Sequence, residues 1–241
     1  MAFFFMRYYS FKLNISSKLY NFLLFIGVIS IVAGYLFAVL FQSMYTFIAS
    51  GVWNWESGAT FYGGFIGGAI IFLLLYFGLG YFFFKDKTHI SKFIVCINMC
   101  VTVIVVAHAF GRIGCLMEGC CYGITTDSWI GIHFIDDPEG VKRLPTQLFE
   151  AIFLFIFFIV LSYLLIKRGN KYIISIYLIG YGIWRFLIEF IRDDVDRGSI
   201  GIPGLWPSQL IAIIMVVIGL VLIFIYKYFL ISFLDSIKNE K

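Results

Sequence analysis

Two charged residues stand where charge is costly. Arg185 and Glu189 lie four apart in the apolar stretch GIWRFLIEFIRDD, so on a helix they share one face, and Arg192 follows at the next turn of that stripe. Charge inside a membrane costs a few kcal/mol per residue on insertion scales, so the pair needs a reason. One reason is structural, an ion pair that locks its helix into a bundle. The other is a ligand: two arginines against one acid leave a surplus cation, and guanidinium grips phosphate bidentately, which suits an anionic headgroup.

A second concentration of chemistry runs from His108 to Gly123, HAFGRIGCLMEGCCYG. Arg112 sits between Gly111 and Gly114, where backbone without a Cβ can approach a ligand and turn with positive φ. Its plainer role is that of a snorkelling arginine at a helix end. His108, one turn earlier, is a helix contact or a proton carrier. Cys115, Cys120 and Cys121 leave three readings open. They are a disulfide from Cys115 to either neighbour, a nucleophilic or lipid-handling thiol, or, with His108, a zinc site that lacks the usual C-x-x-C spacing. No metal or cofactor is expected, and Cys96 and Cys100 read as small apolar packing residues. In LPTQLFEAI, Pro145 suits a helix start with Gln147 and Glu150 on adjacent turns, and WPSQL opens another helix with Gln209. These polar groups could line a mouth, with capping and helix contact the simpler account. In GATFYGGFIGGA the small residues at four-residue spacing form a helix-packing face, within which Tyr62 could point a hydroxyl at a site.

The elements that must position these groups are membrane helices. The chain is 61% hydrophobic and 13% charged, far from soluble usage. Six apolar runs, about 19–41, 60–84, 90–111, 146–166, 172–191 and 207–233, are long enough to cross a core of ~30 Å. Inside lipid every backbone polar group must be satisfied within the segment, so such runs are helices. The expected fold is therefore all-α, a polytopic membrane bundle in one domain over 1–241. Residues 1–18 read as an interfacial lead-in, not a cleavable signal peptide, because Arg7, Lys12 and Lys18 are scattered among aromatics. Most of the 18 Lys and Arg fall in the N-terminus, loops 85–92 and 167–171, and the end from Lys227. The opposite side holds Glu56, Glu118, Asp127, Asp136, Asp137, Glu139, Asp193, Asp194 and Asp196, together with Trp53, Trp55, Trp129 and Trp206. The positive-inside rule then puts both termini in the cytoplasm and the His108–Gly123 stretch at the outer surface. The net charge of +4 is topology, and no dense basic stripe suggests nucleic acid.

Four motifs in order carry a family resemblance. GRIGCLMEGCCYG resembles the GRxGNFxNGE signature of the bacterial prolipoprotein diacylglyceryl transferases, and FYGGFIGG their FHGGLIGG. LPTQLFEA is similar to their HPxQLYEA, and YGIWRFLIEFIRDD to their YGxxRFxxEFxR. The resemblance implies an inner-membrane enzyme that moves the diacylglyceryl group of phosphatidylglycerol to the lipobox cysteine thiol of a preprolipoprotein, releasing glycerol phosphate. It also implies headgroup roles for Arg112, Arg185 and Glu189. Substrate contacts are expected from Arg192, Tyr62, Gln147, Gly111 and Gly114, and proton transfer from Glu189, His108 or Glu118. The family histidine is Tyr62 here, its signature Asn is Cys115, its acid is Cys120, and Ala33 replaces a usual arginine; the family's first helix has no counterpart in residues 1–18. The expectation is a divergent, shortened member. Another lipid-borne acceptor, or a phospholipid-binding paralogue without turnover, is the alternative.

Overall fold

In the computed structural model the described residues are 1–135, 137, 140–169, 171–193 and 206–230. Seven α-helices are described: α1 (Ala2–Lys12), α2 (Ser17–Ser50), α3 (Phe61–Phe83), α4 (Thr88–Glu118), α5 (Thr146–Lys167), α6 (Ile173–Ile188) and α7 (Pro207–Ile225). The last six are long and apolar enough to cross a membrane, and the protein is a polytopic helical membrane protein. Backbone packing divides the chain into two compact units, Ser10–Phe93 and the remainder, with the boundaries inside α1 and α4.

In the first unit the small-residue stripe does what its spacing suggests. A Cβ on Gly34 of α2 would lie 2.9 Å from the Gly64 carbonyl oxygen, and one on Gly68 of α3 would lie 3.1 Å from the Ser30 carbonyl oxygen. The backbones meet because nothing but hydrogen stands between them, and dispersion over that contact holds helices that gain nothing from lipid exclusion. Local chemistry sets the ends of α2. The Ser16 side chain accepts from the Leu19 N–H at 3.3 Å, and Gly51, at φ 71°, closes the C-terminus.

The second unit carries α5, α6, α7 and most of α4. Gly182 of α6 and Gly219 of α7 again allow close approach, with added Cβ atoms 2.9 Å from the Ala212 oxygen and 3.1 Å from the Ser175 oxygen. The start of α6 is held from α4: Asn98 donates to the Lys171 carbonyl at 3.1 Å and accepts from the Ile174 N–H at 3.2 Å. Phe5 of α1 stacks edge-on against Phe158 of α5 at 4.8 Å, and Tyr9 shares a 2.6 Å hydrogen bond with Ser162.

Between α4 and α5 the chain forms a small antiparallel pair, β1 (Ile132–His133) and β2 (Lys142–Arg143). Residue 123 bridges residue 192, and residue 125 bridges residue 143. Gly123 is required there, since a Cβ would fall 2.4 Å from the Ile191 oxygen. Arg143, buried, donates to both Asp137 oxygens at 2.7 and 3.2 Å and to Asp193 at 2.5 Å, and lies over the Tyr122 ring. These carboxylates hold its guanidinium well above the usual arginine range, so the clasp stays charged at any working pH.

Three expectations change. The third apolar run does not end at residue 111: α4 continues to Glu118, so Gly111 and Gly114 are helical, and neither has positive φ. An added Cβ at either would meet nothing within 4 Å, so neither is a turn or a close-approach point. The helix goes on because its backbone is already paired within itself, and two glycines cost only ~1 kcal/mol each. The three outer cysteines are free thiols, not a disulfide. Asp136, Glu139, Asp194, Asp196 and residues 231–241 lie outside the described residues.

Candidate functional site: a buried arginine and carboxylate cluster

Three helices deliver charge to one place in the second unit. On α4, His108, Arg112 and Cys115 fall at i, i+4 and i+7 and share a stripe. On α5, Glu150 stands one turn beyond Gln147, where an apolar run, residues 151–161, begins. On α6 the Arg185 and Glu189 stripe continues through a short 3-10 turn, Glu189–Ile191, to Arg192.

Glu150 is the centre. Its Oε2 lies 2.9 Å from Arg112 Nε and 3.8 Å from Arg192 Nη1, its Oε1 accepts from the Tyr181 hydroxyl at 2.8 Å, and His108 Nε2 stands 3.7 Å from Oε1. The Tyr181 ring also meets the His108 imidazole edge-on at 5.3 Å. The second carboxylate, Glu189, pairs with Arg185 Nη2 at 2.9 Å, lies 4.0 Å from Arg192 Nε and accepts from the Ser208 hydroxyl of α7. Arg192 links the two halves. Glu150, Arg185, Glu189 and Arg192 are all buried.

Among the described residues, the cluster brings three guanidinium groups, Arg112, Arg185 and Arg192, against the two carboxylates Glu150 and Glu189. One donor of the cluster is also unspent: among the described residues Arg185 Nη1 is buried and has no hydrogen-bond partner. An unmatched buried donor costs roughly 1–3 kcal/mol, which a ligand oxygen would recover. The arrangement can therefore take an anion with several oxygens, and His108 sits at its edge as a group able to carry a proton.

Not every expected residue joins the cluster. Gln147 donates its amide to the Cys120 carbonyl at 2.6 Å, which holds the loop after α4, as Thr146 holds the Cys121 carbonyl at 2.9 Å. Glu118 is exposed at the end of α4, and Cys120 is exposed in the loop beyond it. Tyr62 lies in the first turn of α3, in the other unit, and its side chain is outside what the structure describes. Tyr181 and Ser208 were not singled out in the sequence, and Glu150 was read only as a polar group that could line a mouth with Gln147 and Gln209. The one available signal was an acid entering an apolar helix in LPTQLFEAI, for Glu150.

Fold and site together define a class: a multi-pass helical membrane protein with a cluster of arginines and carboxylates set among its helices. The sequence model of one family, prolipoprotein diacylglyceryl transferase, matches residues 1–225. Relatives include the phosphatidylglycerol–prolipoprotein diacylglyceryl transferase 2 of Clostridium perfringens, 38% identical over 72% of this chain and 64% of the relative. The Clostridium tetani enzyme of that activity name is 33% identical over 68% and 62%. That of Acinetobacter baumannii is 28% identical over 85% and 75%. The chain belongs to the prolipoprotein diacylglyceryl transferase family. The match spans a little under two thirds of the length of the clostridial relatives. No solved structure matches it.

Proposed function

We propose that this protein transfers the diacylglyceryl group of phosphatidylglycerol to the lipobox cysteine of a preprolipoprotein, at the outer face of a bacterial cytoplasmic membrane with both its own termini in the cytoplasm. The observation that carries the reading is the convergence of Arg112, Arg185 and Arg192 on Glu150 and Glu189 in one cluster among the helices. The names of the relatives supply the substrates.

The chemistry needs two things. An incoming thiol must lose its proton, and the phosphate ester leaving the glyceryl carbon must be stabilised as the carbon–oxygen bond breaks and the sulfur–carbon bond forms. Arg112, Arg185 and Arg192, fixed in place before substrate arrives, serve the second need, because preorganised positive charge in a dry site needs no reorganisation during reaction. His108 serves the first. Both carboxylates are already engaged by arginines, whereas the imidazole stands beside Glu150, which would balance the charge it acquires.

Purified protein in detergent, given labelled phosphatidylglycerol and a lipobox peptide, is expected to form the thioether-linked diacylglyceryl peptide, with Arg112→Ala abolishing it. Binding of phosphatidylglycerol without turnover would favour a lipid-binding paralogue, a reading that the family acid's replacement by Cys120 supports. Headgroup release without peptide product would mean a different acceptor. Full activity of His108→Ala would remove the histidine from the mechanism.

A further inference from the structure

The loop that follows α4 is built to gather sulfur. The helix ends in a Schellman motif: the Gly119 N–H reaches the Leu116 carbonyl at 3.3 Å, and the Cys120 N–H reaches back to the Cys115 carbonyl at 3.1 Å, with Gly119 at φ 71°. That six-to-one bond returns residue 120 onto residue 115. The next residue, Cys121, is also left-handed, at φ 64°. This is an uncommon conformation for a residue with a Cβ, and cysteine is not among the types that favour it. Successive residues of an extended chain direct their side chains to opposite faces. Here the left-handed turn instead leaves the sulfurs of Cys115, Cys120 and Cys121 all within 4.8 Å of one another.

Two further hydrogen bonds fix the arrangement from α5, Gln147 to the Cys120 carbonyl and Thr146 to the Cys121 carbonyl. The Cys120 sulfur also faces the Cys115 carbonyl at 3.7 Å. A hydrophobic packing role does not account for three thiols at a surface, where Cys120 is exposed and the other two are half-buried. Nor does a structural disulfide, which would use two sulfurs and leave one over.

We propose that Cys115, Cys120 and Cys121 form a site for a soft, closed-shell metal cation, zinc(II) or copper(I). Thiolates at ~2.3 Å from a common centre lie within about 4 Å of one another, so the observed spread needs little adjustment. Soft thiolate ligands select these two metals over harder cations. Copper(I) accepts three sulfurs alone, and zinc(II) completes a tetrahedron with water. Each ligating thiol releases its proton to solvent as the metal binds. The bound ion ties the loop 119–121 to the last turn of α4. Through Thr146 and Gln147 it then also braces the start of α5, one turn ahead of Glu150. The proposal stands apart from the transferase reading.

The test uses the whole protein, purified in detergent under reducing, oxygen-free conditions and offered either zinc chloride or a copper(I)–acetonitrile complex. After desalting, elemental analysis is expected to find about one metal ion per chain. Competition with a chromophoric chelator is expected to show at least about tenfold weaker binding in Cys120→Ser, an exposed position whose change does not endanger folding. Cys100→Ser, remote in the sequence and inside α4, is the control that keeps wild-type affinity. Retention of only one of the two metals identifies the ion. The proposal is overturned if neither metal is retained, if Cys120→Ser binds as the wild type does, or if intact mass shows these cysteines already joined as a disulfide.

Discussion

Glu150 shows how much a single buried carboxylate can organise: its two oxygens face Arg112, Arg192, Tyr181 and His108, four groups drawn from α4 and the α6 segment. Removing its charge would take from Arg112 the carboxylate it pairs with, and breaking one side of a buried pair costs about 3–5 kcal/mol. Glu150→Gln is therefore expected to lower the melting temperature in detergent and to reduce the proposed diacylglyceryl transfer by about a hundredfold or more. Transfer within a few fold of wild type would show that the cluster does not depend on this charge. A second prediction concerns Cys120. Desolvation and the adjoining Cys121 and Cys115 thiols push its pKa up to about 12, so it stays protonated where an ordinary cysteine is half thiolate, near pH 8.5. In metal-free protein, alkylation read at residue 120 by mass spectrometry should climb about tenfold per pH unit to about pH 10. Levelling off near pH 9 would contradict the shift. Arg185 and Glu189 were legible in the sequence because one helix carries both. Glu150 was legible only as a polar group at a helix start; its pairing with Arg112 and Arg192 was not, because they lie on other helices and sequence spacing carries no distance between helices.

At the scale of elements, two helix pairs, α2 with α3 and α6 with α7, use the same device of glycine against backbone. The second pair matters directly to the cluster, since it sets Ser208 beside Glu189. Substituting Gly182 by Leu would push a side chain into the Ala212 carbonyl, which a bare Cβ already approaches to 2.9 Å. Overpacking of this kind costs about 1–3 kcal/mol. Gly182→Leu is expected to lower both the melting temperature and the transfer rate, whereas Gly27→Leu, with open space at its Cβ position, should leave the melting temperature unchanged. Equal melting temperatures for the two variants would dissociate glycine contact from stability. The extension of α4 belongs here too. Glycines near its end suggested a turn, but glycine only permits a turn, and the Schellman motif at Gly119 is what ends the helix.

For the molecule as a whole, the asymmetry of charge predicts orientation. In a background with the native cysteines replaced by serine, Glu56→Cys, in the loop after α2, is expected to react with an impermeant maleimide in intact cells. Lys85→Cys, after α3, should react only once the membrane is opened. The reverse pattern would invert the topology. Six apolar stretches, the even number of spans and the charged stripe on α6 were determined by the sequence alone, because hydropathy, loop charge and helical spacing are local properties that no distant contact can overrule in lipid. Which carboxylate Arg112 meets, that Gln147 clasps the loop after α4, and that three cysteines share one small volume were decided only by the tertiary structure. Each depends on distances across helices far apart in the chain or on a left-handed turn, and those follow from how backbones pack against one another, not from the order of residues along any one of them.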